Sequence, residues 1–209
     1  MSKFPQPPGV AALRQIGPQS LVLAAGTTLA RIYFAAGPHP VRWNQFRAAG
    51  PSAARWDHHL PEQRGGGEHR ANFYCARDID TCAAEAFQAT RRIDRVRNAP
   101  ALVVFALREA IALLDLRGTF ATTIGASTAI HSGPRSRARA WARELYDAYP
   151  DIQGLHYGSS MNGHAPAIAL NERAQRAMPL QPQFHRALND DMLIDTLERI
   201  ALRLSYGLR

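Results

Sequence analysis

An α+β fold is what this sequence predicts, and three observations predict it. Strand-like apolar runs and helix-like periodic segments mix without the strict strand–helix–strand rhythm of a parallel α/β protein. At least one strand candidate is a nearly continuous apolar run, as buried strands of a sheet are. The composition, 46% apolar and 20% charged over 209 residues, is that of a globular chain large enough to bury its own core.

The elements follow in order. The proline-rich first 24 residues, with a short helical candidate at 10–16, read as an N-terminal arm. Thr28–Phe34 reads as a strand set between Gly26 and Gly37-Pro38. Residues 37–70 carry many breakers, including Gly65-Gly66-Gly67, and form the longest irregular stretch, of the kind that is usually functional or mobile. Phe73–Ala76 is a second strand. Asp78 or Asp80 then caps a helix running to about Thr90, with Ala83, Ala84 and Phe87 on its apolar face. Ala101–Leu107 is a buried strand and Ile111–Leu116 offers another. Ser136–Tyr149 is a helix with Trp141, Leu145 and Ala148 on one side and Arg137, Arg139 and Arg143 on the solvated side; Pro150 ends it. Leu155–Tyr157 and Ala167–Leu170 are short strands joined by the loop 158–166, and a helix spans Asp190–Leu204. The expected organisation is an arm (1–24), one domain (25–175) and an extension (176–209) whose helix packs on that domain.

The formal charge is +8 and the isoelectric point about 10.3, and Lys3 is the only lysine. Arginine suits phosphates because its planar fork donates in pairs. The joint enrichment of arginine and alanine that a high-GC genome produces accounts for most of these residues and leaves a few for phosphate. Cys75 and Cys82 form no metal motif and read as core thiols of a reducing compartment, with a disulfide between them unforced. His58-His59 and His69 read as loop-surface residues rather than metal ligands. Neither a phosphate loop, a dinucleotide fingerprint nor a serine-hydrolase elbow is present. The first residues lack the apolar run of a signal peptide, and no apolar stretch reaches the roughly 18 residues of a membrane span, so the chain reads as soluble and cytoplasmic.

Four polar residues stand on or beside apolar segments, where an unpaired charge is costly. Arg31 lies in Leu29–Phe34, Tyr74 in Ala71–Ala76, Glu85 in Cys82–Phe87, and Ser159 follows Leu155–Gly158. Their order, the eleven-residue step from Tyr74 to Glu85, Arg55 in Ala54-Arg-Trp-Asp57 and the upstream Asn44-Gln-Phe46 make the chain resemble the RES domain proteins over about residues 25–175. Where that family carries Tyr-Pro-Ser, this chain has Tyr157-Gly-Ser-Ser160, so Ser159 or Ser160 is the matching serine.

The resemblance implies an ADP-ribosyltransferase-like mixed sheet with flanking helices and an activity on NAD+ as substrate. That activity is cleavage of the nicotinamide–ribose bond by hydrolysis or phosphorolysis, or ADP-ribosylation of a protein. It also implies a toxin neutralised by an antitoxin with an Xre-type helix-turn-helix. Within that reading Glu85 stabilises the ribosyl cation and Arg31 holds the diphosphate, with Arg55 as a second phosphate contact. Tyr74 stacks on nicotinamide or bonds near the ribose, and Ser159 bonds the nicotinamide amide or the ribose. No metal and no membrane enter it, and self-association stays open. The competing reading is a non-enzymatic basic module that binds nucleic acid or an acidic protein through the Arg135–Arg143 run.

Overall fold

The computed structural model describes residues 3–61 and 70–209; Gly65–Gly67 and His69 lie outside them. The strands are β1 (Ser20–Leu23), β2 (Thr28–Phe34), β3 (Asn72–Ala76), β4 (Arg92–Ile93), β5 (Pro100–Ala106), β6 (Ile111–Asp115), β7 (Gly154–Gly158), β8 (Pro166–Asn171), β9 (Phe184–Ala187) and β10 (Gly207–Leu208). The α-helices are α1 (Val10–Gln15), α2 (Ile79–Ala86), α3 (Phe120–Thr123), α4 (Arg135–Ala148) and α5 (Ile194–Leu204). Eight strands make one mixed sheet in the order β1-β6-β7-β8-β3-β2-β5-β9, with only β6 and β7 parallel. The predicted α+β class with a mixed sheet and flanking helices is the architecture observed.

The segment expected as an arm is built into this domain. β1 pairs with β6 along Ser20–Leu23, and α1 packs on α4. Phe4 and Leu13 join the core around Trp141, and the Trp141 indole N–H donates to the Pro5 carbonyl at 3.0 Å. At the other end, α5 buries Leu197, Ile200 and Ala201 against Ala83, Phe87 and Leu102. β10 then closes a small parallel ribbon with β4. Helix α2 starts where Asp78 accepts from Thr81 N–H at 2.7 Å. It ends at Ala86 rather than near Thr90, because Phe87–Arg91 close into turns that bring Arg91 to φ 47°. Asp190 caps not α5 itself but a 3-10 turn that leads into it.

One detail of register makes the site. β2 and β3 share a single paired position, Ala30 with Ala76, so the two halves of the sheet part beyond it. On one face α4 covers the half built from β6, β7, β8 and β3. On that face of the other half, α2 and α5 pack over Ile32, Phe34 and Leu102. The seam between these two coverings stays open as a cavity. Residues paired across antiparallel strands share a face, and side chains alternate along each strand. Tyr74, Ile32 and Phe34 therefore face the cavity, whereas Arg31, Tyr33 and Phe73 face away.

Candidate active site

The cavity has a volume of about 280 Å³. Its walls include Ile32 and Phe34 of β2, Tyr74 of β3, Glu85 of α2, Tyr157 of β7, Arg55, His131, Arg135 and Ser160. This lies near the lower end of ligand sites, roughly 300–1,000 Å³, and suits part of a dinucleotide inside with the remainder at the mouth.

Glu85 is half-buried on the last turn of α2. Its Oε1 accepts the Ser159 hydroxyl at 2.6 Å, and Oε2 accepts Gln88 Nε2 at 3.4 Å. The Gln88 amide also donates to the Glu85 carbonyl at 2.8 Å. Burial raises the Glu85 pKa above the ordinary carboxylate value; the Ser159 bond and the positive charges of Arg55 and Arg135 oppose that rise. Ser159 is fully buried and its hydroxyl is fully used. It donates to Glu85 and accepts from Met161 N–H at 3.1 Å and Asn162 N–H at 3.2 Å. The choice between the two serines therefore divides by geometry: Ser159 fixes Glu85, and Ser160 lines the cavity. Gly158 permits this turn, since a Cβ there would come within 2.2 Å of the His164 ring.

Ser159→Ala removes a hydrogen bond that favours ionised Glu85, so the Glu85 pKa climbs further. The acid limb of the activity profile is expected to move to higher pH, measured as kcat against pH. An unmoved limb would remove Ser159 from the control of Glu85.

Tyr74 lines the cavity, and among the described residues its buried hydroxyl makes no hydrogen bond of normal geometry, with the Trp56 backbone close by. A buried hydroxyl left unpaired is the kind of group that a ligand completes. Arg55 is held by its Nη1, which donates to the carbonyls of Gly133 at 2.7 Å and Ile130 at 3.4 Å. Trp56 beside it packs against Tyr157 with the rings tilted and their centroids 5.3 Å apart. His131 keeps a fixed tautomer, with Nε2 donating to the Leu116 carbonyl and Nδ1 accepting from Gly158 N–H. Burial and the neighbouring His164 push its pKa down to about 4, so it is a neutral wall residue at physiological pH.

Arg31 does not join this group. It is 7% exposed, and its guanidinium stacks over Phe73 at 4.0 Å on the opposite face of the sheet. Its Nη1 donates to the carbonyls of Trp43 and Gln45, both at 3.2 Å. Against the expectation that Arg31 and Glu85 hold one substrate, strand parity turns Arg31 to the sheet face opposite the cavity that Glu85 lines from α2. In this geometry Arg31 ties the 43–45 segment to the sheet. Arg31→Ala is expected to cost roughly 2 kcal/mol or more of stability, through two lost charged hydrogen bonds and the ring contact. Urea unfolding measures this; a stable variant with a raised substrate KM would return Arg31 to the binding site.

Two other expectations change. His58 and His59 are buried, not on the surface. His59 bonds Asp57 and the Ala48 carbonyl, and His58 bonds Asn72 and Glu172. Among the described residues no group of three or more histidines, cysteines or carboxylates could hold a metal ion. Of the α4 arginines, Arg137 is not a solvated residue but bonds the Phe4 carbonyl, and Arg135 reaches the cavity. Cys75 and Cys82 are free, buried thiols whose pKa values burial raises. Among the described residues no helix is long and apolar enough to cross a membrane.

Comparison with known proteins bears on the fold and the family. The structure is similar to a chain in the crystal structure of the M. tuberculosis MbcT-MbcA toxin-antitoxin complex. The TM-score is 0.59 at 16% identity, with 89% of this chain and 94% of that chain covered. The expected mixed sheet with flanking helices is thus a fold shared with a solved structure. No curated protein matches the sequence significantly. The family model of the RES domain matches residues 28–191, most of the chain and all of the cavity walls, and the chain belongs to the RES domain family.

Proposed function

We propose that this protein cleaves the bond between nicotinamide and ribose in NAD+ and that it is the toxin of a toxin–antitoxin pair. The observation that carries the chemistry is Glu85: a desolvated carboxylate, held from both sides by Ser159 and Gln88, on the wall of a cavity that also presents Arg55, Arg135 and an unsatisfied Tyr74 hydroxyl. The nicotinamide nitrogen of NAD+ is already cationic, so the base leaves neutral and needs no proton. Positive charge develops on the ribose, and a fixed carboxylate in a low-dielectric site stabilises it. Tyr74 contacts the nicotinamide ribose, and Arg55 takes the phosphate contact first assigned to Arg31. Ser159 acts by orienting Glu85 rather than by touching substrate.

Support for the toxin role is the shared fold with a chain of a toxin–antitoxin complex together with the RES membership. The partner we propose is an antitoxin of the Xre helix-turn-helix type. The same cation-forming site serves water, phosphate or a protein side chain as acceptor. Incubating the purified protein with NAD+, with and without inorganic phosphate, and identifying the products decides among them. Free nicotinamide is the expected product in each case; NAD+ that stays intact in both incubations and in the presence of cell extract would overturn the reading.

A further inference from the structure

We propose that Arg135, together with Arg55, forms a two-guanidinium clamp at the cavity mouth for the diphosphate of a dinucleotide, and that Gln88 couples this clamp to Glu85. It rests on the reading that the cavity binds NAD+, and it adds a residue that the sequence places on a solvated helix face.

Both arginines line the cavity, and among the described residues neither forms an ion pair with a carboxylate. Among the described residues Arg55 is anchored through Nη1, to backbone carbonyls, and its Nη2 meets no acceptor there. Arg135 is exposed at the first residue of α4 and spends one Nη2 bond on Gln88 Oε1. The two cations repel each other: after burial, Arg135 is the largest influence lowering the Arg55 pKa. Two guanidiniums with one nearby carboxylate, Glu85, leave net positive charge on one concave surface that attracts a doubly charged anion, and their remaining N–H groups offer donors to its oxygens. Neutral ligands gain nothing from such a pair.

Gln88 gives the arrangement its coupling. Its Oε1 accepts from Arg135, while its Nε2 donates to the Glu85 carbonyl and to Glu85 Oε2. The chain Arg135–Gln88–Glu85–Ser159 runs from the mouth to the interior without a break. Anchoring Arg135 before substrate arrives lowers the ordering cost of binding, and it sets the distance between the phosphate end and the cation-stabilising carboxylate.

The test compares NAD+ with nicotinamide riboside, which presents the same scissile bond without phosphate. Arg135→Ala is expected to lower the selectivity for NAD+ over the riboside, as a ratio of kcat/KM values, about tenfold through KM for NAD+, the size of one charged hydrogen bond. Arg139→Ala, one turn further along α4 and outside the cavity walls, is expected to leave that ratio unchanged. Calorimetry with ADP-ribose reads the clamp without chemistry, and Arg135→Ala should weaken that affinity by a similar factor. Wild-type cleavage of NAD+ with an Arg135→Ala ratio and affinity equal to wild type would overturn the clamp and leave the cleavage reading standing. Absence of cleavage with ADP-ribose binding that depends on Arg135 would do the reverse. Failure of wild type both to cleave NAD+ and to bind ADP-ribose would overturn both.

Discussion

Glu85→Gln is expected to reduce NAD+ cleavage on the order of 10²–10³-fold, the usual cost of removing one preorganised group that stabilises transition-state charge. The variant should also be more stable than wild type at neutral pH. Burial raises the Glu85 pKa in the folded protein above its unfolded value. A carboxyl with that sign of shift holds its proton more tightly when folded. Its ionisation therefore opposes folding: stability falls as pH rises from the unfolded pKa through the folded one, and the penalty is complete above both. Glutamine keeps the shape and an oxygen for the Ser159 hydroxyl, and it carries no charge to desolvate. Thermal unfolding should put Glu85→Gln above wild type at pH 7, with the two converging below the ordinary carboxylate range, where Glu85 is protonated in both states. A variant less stable than wild type at pH 7 would mean that Glu85 serves the fold, and full activity would remove it from the mechanism. The combination of lost activity and gained stability is the signature of a strained functional group rather than a structural one.

Strand periodicity and breakers placed most of the sheet and its helices, because those signals are local. Thr28–Phe34 and Ala101–Leu107 announce themselves as apolar runs between breakers, and Asp78 caps α2 by a bond to a residue three positions away. β9 carries no such signal: Phe184-His-Arg-Ala187 is an edge strand with three exposed residues, so hardly any apolar face marks it. β1 is equally short, and the proline-rich residues before it hide the fact that Phe4 and Leu13 complete the Trp141 core. For the site, the family resemblance named Glu85, Tyr74, Arg55 and Ser159, and the fold gathers these four at or just behind one cavity. It could not assign Arg31, whose direction depends on which β2 residue pairs with Ala76 across the sheet. Register between strands so far apart in sequence is set by tertiary packing, and a one-residue slip would have turned Arg31 into the cavity. Arg135 was hidden for the converse reason. On its own helix it reads as solvated, and only the approach of Gln88, in the turn that follows α2, ties it to the cavity wall.

Asp57→Ala is expected to cost about 3–5 kcal/mol, the range for breaking a buried charge cluster, and to lower activity with it. Asp57 is fully buried and accepts four hydrogen bonds: Arg47 Nη2 at 3.2 Å, Ser52 N–H at 2.6 Å, His59 N–H at 2.9 Å and His59 Nδ1 at 2.7 Å. These bonds fold the irregular 47–59 segment, and Gly50 lets the chain close on His59, where a Cβ would lie 2.3 Å from the ring. Burial opposes the charge of Asp57, but its donors win and hold its pKa well below the usual carboxylate range. The Asp57 bond in turn raises the His59 pKa, against burial, and the ring donates from both nitrogens, to Asp57 and to the Ala48 carbonyl. The signs fix the pH window. The Asp57 contribution is present above its unfolded pKa and is lost as pH falls through its folded one. The His59 contribution is complete below its unfolded pKa and fades as pH rises through its folded one. Wild type should therefore lose part of this stability at alkaline pH as His59 gives up its proton, whereas Asp57→Ala should show no such loss. Asp57→Asn, which keeps an acceptor oxygen but turns an amide N–H₂ toward donors, should fall between the two. Urea unfolding from pH 5 to 9 measures all three proteins; a loss under about 1 kcal/mol for the alanine variant, below the cost of one unpaired buried group, would overturn the argument. Because Arg55 and Trp56 immediately precede Asp57, the cluster that folds this segment also sets a cation of the cavity wall and the ring that packs on Tyr157.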